Sequence, residues 1–445
     1  MEARGLGRLE GRAKPSMMAK VYIEAHGCSL SLSDSEAMAG ILHSVGYELS
    51  QEPSEADLNI LVTCIVKGPT ENRMRYRVRA LSAMEKPLIV AGCMPEVEEK
   101  VLESLNPRAS LLGPNSIGMI AEAVASTLSG KRFVAIRRGP EEKLGLPRLR
   151  RNPVVGIIPI ASGCLGVCSF CQVRLARGRL YSYPPKAIVS EAIRAIKEGC
   201  RELWLTSQDN GCYGLDIGSS LPELIRFVAG IEGDFMVRVG MANPTYVKQF
   251  LEELLDAYKN EKVFKFLHIP IQSFCSRILC LMRRGYGPDD AMEIINAFRR
   301  TFPEGTLATD VIVGFPTETE EEFEETLEFV AKVKPEIVNI SKFSPRQGTE
   351  AARLPRLPSE VVAKRSRLLT ELSRKVSLER NEGWIGWEGT CIIEEPGLKP
   401  NQWIGRNMAY RPILIDEVSK NLLGKSAIVR VVGATSRCLK GKIIA

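Results

Sequence analysis

Three cysteines fall within eight residues of the stretch SGCLGVCSFC, as Cys164, Cys168 and Cys171. In a compartment that keeps thiols reduced, such spacing points to metal or redox chemistry rather than to disulfides. A zinc ribbon would need a second CxxC pair at a suitable distance. The next cysteines, Cys200 and Cys212, fall at a helix end and beyond the following strand, so zinc is disfavoured. The C-x3-C-x2-C spacing instead supplies three thiolates to a cubane 4Fe-4S cluster and leaves one iron open to a substrate or cofactor. A structural metal on the same thiolates is the plainer alternative.

Twelve cysteines stand against only three histidines, His26, His43 and His268, which again favours a Cys-only cofactor. Cys28, Cys64 and Cys93 each close a short apolar run, in VYIEAHGC, LNILVTC and PLIVAGC. These runs alternate with helix-like stretches at residues 34–45 and 71–84, the βαβ pattern of a parallel sheet. Ligands of open parallel sheets sit beyond the carboxyl ends of the strands, so the three cysteines could meet at one point.

Residues 131–152 are rich in Arg, Pro and Gly and read as a linker, either a solvated loop or a phosphate-facing strip. Six strand-like runs follow, at 154–161, 202–208, 235–240, 263–270, 307–314 and 337–343, separated by helical patterns. Six β/α units fit a partial barrel with its chemistry at the carboxyl ends of the strands, and SGCLGVCSFC directly follows the first run. A basic amphipathic helix over 357–380 leads to short, glycine-broken strands from residue 384 onward, as in a small β-barrel. The boundaries are 19–130 for the first α/β domain, 131–152 for the linker, 153–380 for the barrel and 381–445 for the last domain.

The net charge of +7 permits RNA binding without demanding it, and the basic edge at 420–445 suits RNA or a protected edge strand about equally. The N-terminus lacks the apolar run of a secretory signal, and no stretch reaches the roughly 18 apolar residues of a membrane helix. A soluble, cytoplasmic protein with no membrane partner is expected. Met17 and Met18 offer alternative starts, because the first strand pattern comes only after them.

C-x3-C-x2-C with an aromatic before the last cysteine, at the start of a partial β/α barrel, resembles the radical S-adenosylmethionine (SAM) superfamily. That resemblance implies that the open iron chelates SAM and that its reductive cleavage yields a 5′-deoxyadenosyl radical able to abstract hydrogen from an unactivated carbon. The segments GCSLSLSDSE, TC and AGCMPE, followed by SGCLGVCSFC and a small terminal barrel, narrow the resemblance to the methylthiotransferases over nearly the whole chain. Their plan implies an N-terminal parallel α/β sandwich domain with an auxiliary 4Fe-4S cluster, a central (β/α)6 radical-SAM barrel, and a C-terminal antiparallel β-barrel, the RNA-binding TRAM domain. Carried over residue by residue, Cys28, Cys64 and Cys93 would hold the auxiliary cluster, which presents the sulfur. Cys164, Cys168 and Cys171 would hold the catalytic radical cluster. Cys200, Cys212, Cys275, Cys280, Cys391 and Cys438 are left as structural.

Phe170, Gln208, Asn243, Gln272 and Asp310 stand where the family grips SAM, with turn or cap roles the alternative for the amides. His268 reads as a packed, hydrogen-bonded histidine. Arg174, Arg177 and Arg179, just past the radical loop, carry guanidinium groups suited to phosphates and bases, with a solvated charge run as the alternative. Residues 318–325 read as a helix start capped by Thr317 or Thr319. IPIASGCLGVCSFC, ARGRLYSYP, LTSQDNGCYGLD and LATDVIVGFPTETEEEF most resemble the archaeal and eukaryotic branch acting on N6-threonylcarbamoyladenosine (t6A) in tRNA. An archaeal origin is expected, since the chain stops without the membrane tail of eukaryotic members. Isopentenyladenosine, a ribosomal-protein aspartate, or a non-catalytic RNA-binding role remain the alternatives. The implied partners are tRNA, an unidentified electron donor and a sulfur source, with the chain acting as a monomer. Ser29, Ser31 and Val62, and the pair Phe274-Cys275, depart from the family pattern beside the auxiliary site and the SAM loop.

Overall fold

The computed structural model describes residues 19–65, 68–137, 139–416 and 420–444; the alternative starts at Met17 and Met18 lie outside the described residues. Strands β1 (Lys20–Ala25), β2 (Glu48–Ser50), β3 (Leu58–Thr63), β4 (Leu88–Gly92), β5 (Ser110–Leu112) and β6 (Val134–Ala135) form a parallel sheet in the order β2-β1-β3-β4-β5-β6. β3 and β4 are buried at every position, which is why they read as unbroken apolar runs. Ala37, Met38 and Leu42 of helix Ser29–Ser44 pack with Ile120 and Val124 in one cluster. Met74, Val78 and Leu102 join a second. The strand order reverses between β1 and β3, and a parallel sheet opens its ligand crevice at the carboxyl ends beside such a reversal.

The first helix starts at Ser29, five residues ahead of the expected position, with extended Cys28 at its N-cap. The apolar pattern missed this turn because its buried face is polar: Ser31, Ser33, Asp34, Ser35 and Glu36 are all buried. Ser33, Asp34 and Glu36 take partners from the linker. Arg148 donates to Ser33 Oγ at 2.8 Å and to Glu191 Oε1 at 2.8 Å, and the Leu149 N–H donates to Glu36 O. Residues 134–135 belong to the sheet itself as β6. The segment therefore seams the first domain to the barrel, and Lys143, Arg148 and Arg150 are buried in ion pairs rather than solvated or facing phosphate.

β7 (Val155–Pro159) opens the central domain, and a short hairpin of β8 (Ala161–Ser162) and β9 (Tyr181–Ser182) brackets the cysteine loop. β10 (Glu202–Thr206) and β11 (Met236–Val239) extend β7 in parallel. β12 (Phe266–His268), β13 (Thr306–Val313) and β14 (Ile337–Lys342) form the other half, joined to the first through the Val237–Val263 bridge. These six parallel strands make an open, partial barrel. Helix Glu320–Val333 begins at a capping box built by Thr319 and Glu322, which settles the choice between Thr317 and Thr319.

Helix Ser359–Glu382 leads to a closed barrel of β15 (Glu388–Pro396), β16 (Trp403–Arg406), β17 (Pro412–Ile415), β18 (Ser426–Ala434) and β19 (Leu439–Ile443), ordered β15-β16-β17-β19-β18. It is not purely antiparallel as expected, because β17 and β19 pair in parallel to close it. The closure buries Ile393, Ile413, Val429 and Leu439. The barrel is fixed to the central domain by Glu336, fully buried, which receives Arg299, Arg380 and Arg411. Arg238 lies over Trp204, Phe266 and Tyr410 across the same junction, at 5.0–5.3 Å. Among the described residues, no helix is long and apolar enough to cross a membrane.

Candidate functional site

The two cysteine sets are built differently. In the central domain, Gly163 turns the chain with a left-handed φ of +76° immediately before Cys164, and each thiol of the loop meets one N–H donor. The Gly166 N–H donates to Cys164 Sγ at 3.2 Å and the Val173 N–H to Cys171 Sγ at 3.4 Å. Arg284 donates to Cys168 Sγ at 3.2 Å and to Pro270 O at 2.8 Å. N–H donors aimed at sulfur stabilise thiolates, so the loop fits three-thiolate ligation of an iron-sulfur cluster. A hydrogen bond with Cys212, with help from the Gly166 N–H, draws the Cys164 thiol down, whereas burial pushes Cys171 up to about 12.

The other set is gathered from three strand ends. Cys28 follows β1, Cys64 follows β3, and Cys93 opens helix Cys93–Val97 after β4. Gly92, at φ +93°, lets that helix start at once: a Cβ there would lie 2.6 Å from Thr63 O. A hydrogen bond with Cys64, helped by the nearby Arg177 charge, brings the Cys28 thiol down to about 5. Ser31 Oγ lies 3.6 Å from Cys28 Sγ, so a serine that departs from the family pattern is part of this site. Burial pushes Cys93 up against the opposing pull of Arg177, whose Nε donates to Cys93 Sγ at 3.3 Å. A cavity of about 290 Å³ opens beside Cys28 and Cys64. This donor set, too, fits a three-thiolate cluster.

Two contacts join the domains that carry the sets. Ser29, next to Cys28, shares a 2.6 Å hydrogen bond between its Oγ and Thr206 Oγ1 at the end of β10. The helix Val173–Arg177 touches Cys171 Sγ through its first N–H and Cys93 Sγ through its last side chain. The carboxyl end of the barrel thus faces the carboxyl end of the first sheet.

The SAM-shell candidates separate into two groups. Phe170, Gln272 and Asp310 line one cavity of about 460 Å³, with Met241, Pro270 and Arg346. Asp310 Oδ2 lies 2.6 Å from His268 Nε2, which matches the packed role expected of that histidine. Gln272 holds a left-handed φ of +74°, its N–H bonded to Asp310 O and its carbonyl to the Ile312 N–H. Gln208 and Asn243 stand outside that lining. The Asn243 side chain caps helix Pro244–Val247, accepting from the Thr245 N–H at 3.1 Å, and its own N–H donates to Asp209.

The arginine loop also divides. Arg174 lines a second cavity of about 540 Å³ with Arg137, Glu96 and Asn115, and Arg179 is exposed. Arg177 is 4% exposed and bonded to Cys93 and Asp34, so it is not one of the loop's exposed cations, contrary to the surface role expected of it. Its sequence neighbours gave no sign of this, because its partners lie 84 and 143 residues away. Sequence reasoning also missed Arg284, and it left Cys212 as structural. Cys212, Asp209 and Cys164 place their ligand atoms within 4.8 Å of one another. Cys212 follows β10, and only the strand order puts that turn beside the cysteine loop.

A partial parallel barrel carrying this loop defines a radical-SAM protein, and residues 158–330 match the Radical SAM superfamily. Residues 20–113 match the uncharacterized protein family UPF0004. The overall shape is similar to a radical SAM methyltransferase from Kitasatospora setae, with a TM-score of 0.55 at 13% identity over 75% of each chain, a likeness of fold. The chain is 43% identical to a probable threonylcarbamoyladenosine tRNA methylthiotransferase from Pyrococcus horikoshii, over 96% of this chain and 100% of that one. It is 40% identical to the threonylcarbamoyladenosine tRNA methylthiotransferase of Drosophila melanogaster, over 96% of this chain and 78% of that one. The chain belongs to the threonylcarbamoyladenosine tRNA methylthiotransferase family.

Proposed function

We propose that this protein replaces the C2 hydrogen of t6A at position 37 of tRNA with a methylthio group, giving 2-methylthio-t6A by radical-SAM chemistry. The observation that carries the reading is the apposition of two three-cysteine sets through Arg177 and through Ser29 and Thr206. When bound, the radical cluster and one SAM would supply hydrogen-atom abstraction, the auxiliary cluster would supply the sulfur, and a further SAM would supply the methyl group. The chain's own residues orient these partners. Cys164, Cys168 and Cys171 hold the first cluster, with Arg284 fixing Cys168; Cys28, Cys64 and Cys93 hold the second. Phe170, Gln272 and Asp310 shape the SAM cavity, while Gln208 and Asn243 stand at neighbouring strand ends outside its lining.

Residues 19–130 act as the sulfur-carrying domain, 131–152 as the seam that also lends β6 to its sheet, 153–380 as the radical domain and 381–445 as the RNA-binding barrel. Arg174 and Arg179 are the cations of the arginine loop available to tRNA phosphates. The enzyme works as a cytoplasmic monomer and draws on an external electron donor and sulfur source. Mass spectrometry of tRNA nucleosides from cells with and without the protein tests the reading. Loss of 2-methylthio-t6A with t6A retained is expected on deletion, and an unchanged nucleoside profile would overturn it.

A further inference from the structure

Arg177 is the link between the two cysteine sets that the proposed chemistry does not itself explain. Its Nε donates to Cys93 Sγ at 3.3 Å, and Nη2 donates to Asp34 Oδ2 at 2.8 Å. Nη1 is buried and has no acceptor among the described residues. A buried guanidinium donor is costly to leave unpaired, so it points to an acceptor outside the polypeptide. Asp34 is shared with Lys143, whose Nζ lies 2.7 Å from Oδ1 and 2.5 Å from Pro114 O. The side chains of Arg177, Asp34 and Lys143 are each no more than 2% exposed. Asp34 is thus divided between two cations, Glu141 also lies within electrostatic reach of Lys143, and the Arg177 guanidinium stands directly against Cys93, with Cys28 within its electrostatic reach.

We propose that Arg177 tunes the auxiliary cluster, donating to Cys93 Sγ through Nε and to a cluster sulfur through Nη1, so that it raises the cluster's reduction potential. A 4Fe-4S core carrying a 2+ charge on three thiolates is already a net anion, and one added electron makes it more negative. Hydrogen bonds to sulfur and nearby positive charge favour that more negative form, most strongly where water is excluded. Asp34 sets how much of the guanidinium charge the cluster feels. Arg177 thus acts on the cluster in two ways, through the ligand Cys93 and directly at a cluster sulfur. The inference rests on the auxiliary set holding a cluster, which iron analysis checks independently of potential.

The test is an EPR-monitored redox titration with dithionite on the full-length protein, reconstituted anaerobically with iron and sulfide. The radical-cluster signal is identified by its change when SAM is added, and the other signal is followed. Arg177→Gln is expected to lower the reduced-to-oxidised ratio at fixed potential about tenfold, which is a negative shift of about 59 mV for one electron. Arg177→Lys should recover part of that shift. Asp34→Asn should move the potential the opposite way, because it unmasks the guanidinium charge, and it carries the test if Arg177→Gln takes up no iron. Unchanged potentials in loaded variants would overturn the proposal. Failure of both Arg177→Gln and Asp34→Asn to load the auxiliary cluster would also overturn it, making the pair a structural brace.

Discussion

The radical set occupies eight consecutive residues, whereas the auxiliary set is assembled from positions 28, 64 and 93 at three strand ends. Local hydrogen bonds orient two of the radical thiols, through the N–H groups of Gly166 and Val173, each two residues from its cysteine. The auxiliary thiols depend instead on the packing of a parallel sheet and on Asp34, Lys143 and Arg177, which come from three different segments. A loop that carries its own donors can hold a ligand set with modest tertiary support. A set gathered from strand ends inherits every weakness of the sheet and of its seam.

The largest expected effect separates the two sets chemically. Cys168→Ala should remove about four of about eight irons per chain and abolish SAM cleavage. Cys64→Ala should remove a similar share, retain reductive SAM cleavage and yield no methylthio product. Iron analysis and 5′-deoxyadenosine quantification read both outcomes, and loss of all iron in Cys64→Ala would break the independence of the sets.

Asp34→Ala should come next, because it leaves two cations buried without their carboxylate. Breaking a buried pair in this way costs about 3–5 kcal/mol. Urea unfolding of the metal-free protein should show the loss in the transition of the N-terminal domain, with iron on the radical loop preserved after reconstitution.

The two glycines sharpen the contrast at smaller scale. Gly163→Ala puts a Cβ 2.0 Å from Arg179 O, and Gly92→Ala puts one 2.6 Å from Thr63 O, each at a left-handed φ. Backbone strain of this kind costs on the order of 1–3 kcal/mol per site. Each variant should lose iron only from its own set, as read by iron content and EPR.

Arg174→Gln should weaken binding of tRNA uniformly across sequences and reduce the salt slope by about one, measured by filter binding over a salt series. The smallest effect lies outside both sets. The hydrogen bond from Arg277 lowers the carboxyl of Glu322 from 4.5 to about 2 in the folded protein. Its contribution to stability is therefore full above about pH 4.5 and is lost as pH falls toward 2. Thermal melts of Glu322→Gln should show a flatter acid limb than those of the parent chain, with both clusters retained.

The cysteine loop, the alternation of apolar runs and helices, and the glycine-broken terminal strands were legible because each is a local pattern. The start of helix Ser29–Ser44 was not, because its buried face is made of Ser31, Ser33, Asp34 and Glu36, whose partners include Arg148 and Lys143 in the seam. Arg177 and Arg174 have the same residue type three positions apart, yet one is buried against Cys93 and the other lines an open cavity. No sequence pattern distinguishes them. Gln272 and Asp310 line the same cavity because the Gln272–Val311 bridge aligns their strand ends, while Asn243 is occupied by its helix cap.

The sequence by itself determined the proposed ligand set, six cysteines in two spacings, together with the elements that carry them and their order along the chain. Only the tertiary structure decided which charges face the auxiliary set, which arginines remain open to RNA, and how β17 and β19 close the last barrel. The reason is physical. Thiolate spacing and hydrophobic periodicity are written within a few residues, whereas the partner of a buried charge is chosen by packing across a hundred or more.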